Sequence, residues 1–248
     1  MNFETKAIEL VTGEAEKFKE LIEQARCVLF DFDGPICQLF AGHSAKAIAE
    51  DQETWLAVRG LAGVLTERER SSRDPHWVLS EVAARHPGSD LVIELEEWLT
   101  QQELWAVERA MPTAYADPLI RTWSAMGVRL AIATNNSDRT VKAYLESRHL
   151  IGCFAPNIYG RTRELHLLKP NPYNLKRALW ALGAAADTTL MIGDTPSDHA
   201  AAQGAGVHFL GYARNKEKQR LLLEAGVAPW SIVNSLETVL VAVRGGAA

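Results

Sequence analysis

Two aspartates one residue apart, Asp31 and Asp33, stand directly behind the apolar run Val28-Leu29-Phe30 and ahead of Gly34-Pro35. A short run apolar on both faces fits a strand buried in a parallel sheet with helices above and below. Glycine and proline then turn the chain out of the sheet. Open α/β sheets bind ligands at the carboxyl ends of their strands, so both acids would face such a crevice. The chemistry open to the pair is nucleophilic attack by one carboxylate while the other moves protons, with a divalent cation holding the site together. A lone Asp-x-Asp-Gly is more often a polar turn, because short motifs match by chance. The other strand ends decide between the two.

Val128 to Ala133 reads as an apolar strand that ends in Thr134-Asn135-Asn136-Ser137. A hydroxyl and backbone N–H groups there suit a phosphoryl oxygen, while Asn136 or Ser137 can cap the helix that follows. Thr189 to Ile192 is a further strand, running into Gly193-Asp194-Thr195-Pro196-Ser197-Asp198. Asp194 and Asp198 offer a hard cation oxygen ligands opposite Asp31 and Asp33, although Asp198 also suits the first turn of a helix. Four acids at two strand ends repel one another unless something neutralises them, and a bound cation is the natural candidate. Lys169 precedes Pro170 at the start of a helix, where its ammonium can offset a substrate phosphate or the nucleophilic carboxylate. A single lysine is by default a surface residue; its place between the Thr134 and Asp194 strand ends argues otherwise.

The elements that position these groups fall into two patterns. Residues Gly13 to Gln24 have helical spacing and lead into the first strand. From Ser44 to Ala110 the periodicity is helical, with no convincing strand. Leu56, Leu61 and Leu65 belong to one or two helices. Trp77, Val78 and Val82 belong to another that ends near His86-Pro87-Gly88. Leu91 to Met111 makes a long helix with Leu91, Leu95, Trp98, Leu99, Trp105 and Ala106 on one broad face. Trp55, Trp77, Trp98 and Trp105 suit the packing of a small bundle better than substrate stacking. Arg73-Asp74-Pro75-His76 is a polar break between helices, and Arg73 and His76 are candidates for contacts from a lid.

From Pro112 onward strands and helices alternate again. Helices are expected over Pro118–Met126, Asp138–Arg148, Lys216–Ala225 and from Leu236, and strands over Asn157–Tyr159, Val207–Leu210 and near Ile232. The division that follows is an α/β core over 1–40 and 112–248 and a helical cap over 41–111.

The chain has 248 residues, 47% of them hydrophobic and 23% charged, and a formal net charge of −5. Without a basic run to release counterions, a nucleic-acid partner is not expected. No window approaches the roughly 18 apolar residues of a membrane span, and the first twenty residues lack a signal-peptide core. A soluble, cytoplasmic protein is expected, its oligomeric state left open. Cys27, Cys37 and Cys153 suggest neither a disulfide framework nor a zinc site. Cys37 lies near the acids, but a free cysteine is usually a small buried hydrophobe.

Taken together, Asp31-Phe32-Asp33-Gly34, Thr134-Asn135, Lys169-Pro170 and Gly193-Asp194-Thr195-Pro196-Ser197-Asp198 resemble the haloacid dehalogenase superfamily in its phosphatase branch, in the family's order. The resemblance covers the chain from about Arg26 to the last helix, and the insertion is similar to a C1-type cap. It implies a doubly wound Rossmann-like parallel core with an inserted α-helical cap domain, and a phosphatase of phosphoglycolate phosphatase type acting on a small phosphorylated metabolite. Asp31 would attack phosphorus and Asp33 would serve as acid and then base. Thr134, Asn135 and Lys169 would hold the phosphoryl group. The Asp31 carboxylate, the Asp33 carbonyl, Asp194 and Asp198, the last directly or through water, would hold Mg²⁺. Pro35 departs from the family, which usually has Thr or Val there, and costs the loop a hydroxyl and an N–H while fixing φ. A sugar phosphomutase on the same scaffold and a non-catalytic phospho-ligand sensor are the alternatives. A dehalogenase needs neither Asp33 nor a metal site.

Overall fold

The computed structural model describes residues 3–42, 44–72 and 74–245, with side chains from residue 13 onward. Helix α1 (Phe3–Gln24), longer than the sequence pattern indicates, leads into β1 (Cys27–Phe30), every residue of which is buried. Strand β2 (Cys37–Gln38) follows, then α2 (Ala45–Val58), α3 (Glu67–Arg70), α4 (Pro75–Arg85) and α5 (Asp90–Val107), before β3 (Met111–Pro112). The remaining elements are α6 (Ala116–Ala125), β4 (Arg129–Ser137), α7 (Asp138–Ser147), α8 (Ile151–Phe154), β5 (Ile158–Arg161) and α9 (Tyr173–Leu182). After them come β6 (Thr189–Gly193), α10 (Pro196–Ala205), β7 (His208–Tyr212), α11 (Lys216–Glu224), β8 (Ile232–Val233) and α12 (Leu236–Gly245).

Six strands form one parallel sheet in the order β5-β4-β1-β6-β7-β8. The chain builds outward from β1 through β4 to β5, then crosses to β6 on the other side. The carboxyl ends of β4, β1 and β6 therefore meet at a topological switch point, where such sheets bind ligands. Alternation along β1 explains why it is apolar on both faces: Val28 and Phe30 pack with Leu21, Trp123 and Val239, whereas Cys27 and Leu29 pack with Leu175, Ala178 and Ala201. This is a doubly wound core with a helical region inserted between β2 and β3.

The insertion has its own apolar cluster, centred on Ile48, Leu56, Val78, Leu79, Leu95 and Leu99, which Leu165 and Leu168 of the core join. Trp55, Trp77 and Trp98 pack against its edge, but Trp105 is 43% exposed and carries the Arg109 guanidinium on its ring. The expected face of α5 was thus too broad at its carboxyl end. The helix also stops at Val107 instead of running to Met111. Pro112 forces the residue before it into extended backbone, and Met111 and Pro112 pair with Gln38 and Cys37 across the two linkers.

Strand β4 continues past Ala133 to Ser137 through a register irregularity and pairs with Arg161 at its tip. Irregularities of this kind re-aim side chains next to active sites. Gly160 makes the close approach possible, because a Cβ there would lie 2.6 Å from the Asp138 nitrogen and 2.7 Å from the Asn136 oxygen. No helix among the described residues is long and apolar enough to cross a membrane.

Candidate active site

Asp31 ends β1 at the switch point and is buried. Its Oδ1 accepts from the Phe32 N–H at 2.8 Å and faces Lys169 Nζ, also at 2.8 Å. Lys169 donates at 2.5 Å to Asp198 Oδ1 as well. Reciprocal bonds between Lys169 and Asn135 hold the lysine backbone, with Lys169 N–H donating to Asn135 Oδ1 at 2.8 Å and Asn135 Nδ2 donating to the Lys169 carbonyl at 3.1 Å. Burial opposes charge on the lysine, but the carboxylates of Asp198 and Asp31 outweigh it and raise its pKa. Burial and the Asp198 charge push Asp31 upward in turn, against the pull of Lys169.

Asp194 ends β6 and sits under Lys218, whose ammonium lies 2.7 Å from Asp194 Oδ2. Asp198 lies in the first turn of α10, and its Oδ2 accepts from the N–H groups of Asp194 and Thr195 and from the Thr195 hydroxyl at 2.7 Å. It is both the helix cap partner of Thr195 and, across Lys169, a neighbour of Asp31. The sequence leaves these two roles as alternatives; the geometry holds both.

A hard divalent cation fits these residues. Oxygens of Asp31, Asp194 and Asp198 can all lie within 4.8 Å of one another. The loop after β1 packs straight onto Asp194, since a Cβ on Gly34 (φ +112°) would fall 2.5 Å from the Asp194 carboxyl carbon. Five carboxylates, Asp74 among them, line the cavity with Lys169, Lys218 and Arg214, which leaves an excess of negative charge that a divalent ion would balance. Asp33 stands apart from this cluster. Its Oδ1 accepts from the Leu39 N–H at 2.9 Å, which aims the carboxyl into the cavity mouth. Burial pushes Asp33 up to about 6 against that N–H, and it pushes Asp194 up to about 6 against Lys218.

Pro35 is buried in the turn, and Thr113, from the returning linker, clamps it by donating its hydroxyl to the Gly34 carbonyl at 2.5 Å. Cys37 is fully buried, and burial with the nearby acids raises its thiol well above the ordinary range, so it is a core residue and no nucleophile.

A cavity of about 190 Å³ lies over Asp31 and Asp33, with Thr134, Asn135 and Lys169 on the core side and Asp74 and His76 on the cap side. A wider hollow of about 640 Å³ adjoins it, sharing His76 and Lys169 and adding Trp77, Ser80 and His166. His76 therefore meets the cavity as expected, and Trp77 lines the hollow; Arg73 lies outside the described residues. Behind His76 is a buried charged network that the sequence did not disclose. Arg161, at the tip of β5, donates to Glu96 at 2.9 Å, Thr100 at 2.8 Å and Glu103 at 2.8 Å, all on α5, and to the Asn135 carbonyl at 3.0 Å. Burial works against the Glu103 charge, but Arg161 and His76 outweigh it and hold its carboxyl at about 2.

Lys218 and Arg214, both on the cavity wall, were also missed. A lysine in the first turn of α11 opposes the helix dipole, and that misplacement was a legible signal. Glu96, Thr100 and Glu103 fall at positions i, i+4 and i+7 among the buried Leu95, Leu99 and Ala106, a spacing that gives a polar stripe but not the partner that buries it.

The family model described as haloacid dehalogenase-like hydrolase matches residues 25–206. The chain is 37% identical to a phosphoglycolate phosphatase of Rhodospirillum rubrum over 39% of its length, which spans 41% of that relative. It is 26% identical to a phosphoglycolate phosphatase of Pseudomonas fluorescens over 87% of its length and 78% of the relative's. Among solved structures, a predicted phosphatase from Clostridium acetobutylicum is similar in fold, with a TM-score of 0.63 at 20% identity over 88% of this chain and 97% of that one.

Proposed function

The chain belongs to the haloacid dehalogenase-like hydrolase family, on its phosphatase branch and with a helical cap, and from that premise we propose that it hydrolyses a small phosphomonoester through an aspartyl phosphate on Asp31. The observation that carries this is the Asp31 carboxylate itself, set at the switch point of the sheet, paired with Lys169 and enclosed under the cap. A phosphoester entering the cavity would place phosphorus against Asp31, with Thr134 and Asn135 on the core side. Asp31 oxygen bonds to phosphorus as the bond to the leaving alcohol oxygen breaks, and Asp33 gives its proton to that oxygen. Its raised pKa keeps a proton available near neutrality. Asp33, now a carboxylate, takes a proton from the water that attacks the phosphoenzyme, and phosphate leaves. Lys169 offsets negative charge on Asp31 and on the phosphoryl oxygens.

Mg²⁺, held by Asp31, Asp194, Asp198 and the Asp33 carbonyl, would supply charge neutralisation and polarise the phosphoryl oxygens. The finer reading is a compact phosphorylated metabolite of the phosphoglycolate kind. It is supported by the names of the relatives and by the small inner cavity. A panel of small phosphomonoesters with Mg²⁺, read as inorganic phosphate release, tests both levels. Release from compact esters is expected. Conversion to an isomeric phosphoester without release would turn the reading to a phosphomutase, and inactivity on every ester would overturn it.

A further inference from the structure

One oxygen atom in this protein holds both sides of the catalytic cavity. Glu103 Oε1, fully buried on α5, accepts from His76 Nε2 at 2.6 Å, from Arg161 Nη1 at 2.8 Å and from Asn136 Nδ2 at 3.2 Å. His76 is the cap wall of the cavity, and Asn136 is the support of Thr134. Because a carboxylate accepts only, it fixes the Asn136 amide with nitrogen toward Glu103 and oxygen toward Thr134. That oxygen takes the Thr134 hydroxyl at 3.1 Å, while the Asn136 N–H donates back to Thr134 Oγ1 at 3.3 Å. The other carboxylate oxygen accepts from the Ser137 N–H at 2.9 Å and the Thr140 hydroxyl at 3.1 Å, which anchors the loop end to α7.

We infer that Glu103 is a positioning residue for phosphoryl binding: through Asn136 and the Ser137 N–H it holds the stretch that carries Thr134 and Asn135, and through His76 it sets the cap wall opposite. This rests on the proposed phosphatase reading. A glutamine at 103 puts a donor where one of the two acceptor oxygens stood, so either the Asn136 amide or the Ser137 N–H and Thr140 hydroxyl lose their partner, and the stretch that places Thr134 and Asn135 loosens. The metal-binding acids take no hydrogen bond from Glu103, Asn136 or His76; Asn135 and Lys169 stand between them and this network.

The test uses the full chain with Mg²⁺ and measures inhibition by inorganic phosphate, KM for p-nitrophenyl phosphate, half-saturating Mg²⁺ and Tm. Glu103→Gln is expected to raise the phosphate Ki and KM about tenfold, the order of one lost charge-assisted contact, with half-saturating Mg²⁺ unchanged. Asn136→Ala breaks the relay at the cost of one donor to Glu103 but leaves its ion pair with Arg161 in place, so it keeps the test open if Glu103→Gln does not fold, and it should raise the phosphate Ki to a similar degree. The double variant should be no worse than the weaker single, because the two lie on one path. Thr100→Val removes a bond to Arg161 in the same buried network but does not touch Asn136; it should lower Tm and leave the phosphate Ki alone. An unchanged phosphate Ki in folded Glu103→Gln or in Asn136→Ala, additive effects, or an equal rise in Thr100→Val overturns the inference alone. A wild-type protein that neither turns over phosphoester nor binds phosphate by calorimetry overturns the phosphatase reading, and this inference with it.

Discussion

The Lys218 ammonium lies 2.7 Å from Asp194 Oδ2, on a carboxylate that can share a cation with Asp31 and Asp198. Two positive charges thus compete for Asp194. Lysine is fixed by the chain, whereas a metal ion is taken from solution. Lys218→Met should destabilise the metal-free protein by about 1–2 kcal/mol, less than the 3–5 of a fully buried pair because Lys218 keeps contact with water. In the same variant, Mg²⁺ should raise Tm by more than in the wild type and at a lower half-saturating concentration. Thermal melts across a Mg²⁺ series check this, and identical metal responses in the two proteins would remove the competition.

Asp31→Asn and Asp33→Asn should both stop turnover, but at different points. Asparagine at 31 cannot become a phosphoenzyme. Asparagine at 33 can neither protonate the alcohol nor activate water, yet p-nitrophenolate leaves without a proton. Acid-quenched Asp33→Asn protein with p-nitrophenyl phosphate should therefore show the phosphorylated mass, and Asp31→Asn should not. Near wild-type phosphate release by Asp31→Asn would rule out the aspartyl route.

The raised acids make metal-free stability depend on pH. Asp33 and Asp194 go from an ordinary value of 3.8 to about 6 in the folded protein. A folded value above the unfolded one means the folded state holds its protons longer, so their contribution is fully present below 3.8 and is lost as pH rises through about 6. A metal ion does at neutral pH what protons do in acid. The Tm gained from Mg²⁺ should accordingly be larger at pH 7.5 than at pH 5, where protons compete for the same oxygens. A gain that does not change between the two would contradict this account of the site.

The residues that end strands were legible because type and position coincide there. A buried apolar run stops, a polar residue follows, and a parallel sheet places that residue in the crevice; Asp31 and Asp194 are of this kind, and Thr134 follows its apolar run although β4 itself continues to Ser137. Asp198 and Lys169 were found through the helix starts beside them. Arg161 is a strand end too, but the reading of β5 stopped at Tyr159, two residues short, so the arginine fell in a loop. Glu103 was hidden for another reason. Charged residues on helices are assigned to solvent by default, and its burial is made tolerable by the Arg161 charge on β5, 58 positions away, and by donors from α4 and from the stretch between Asn136 and Thr140. Tertiary pairing of that range leaves no local signature.

Arg139 and Arg161 tie α5 to the core, Arg139 through Glu97 and Arg161 through Glu96 and Glu103, and the pairs with Glu97 and Glu103 differ in their surroundings. Arg139 meets Glu97 at 2.8 Å with both side chains 51% exposed, whereas Arg161 meets Glu103 at 2.8 Å with both fully buried. An exposed pair gains little over water and typically contributes about 0–1 kcal/mol. Removing one member of a buried pair strands the other charge without solvent, at about 3–5 kcal/mol. Arg139→Met should therefore leave Tm within a few degrees, at about 2–4 °C per kcal/mol for a chain of this size, while Arg161→Met lowers it by roughly 10 °C. Replacing both partners by Met and Leu should recover part of the Arg161→Met loss, because no charge is then left buried. Thermal melts of the four proteins provide the measurement. If Arg161→Met costs no more than Arg139→Met, Glu103 is not held ionised in a dry interface, and the grip of α5 on the core is apolar instead.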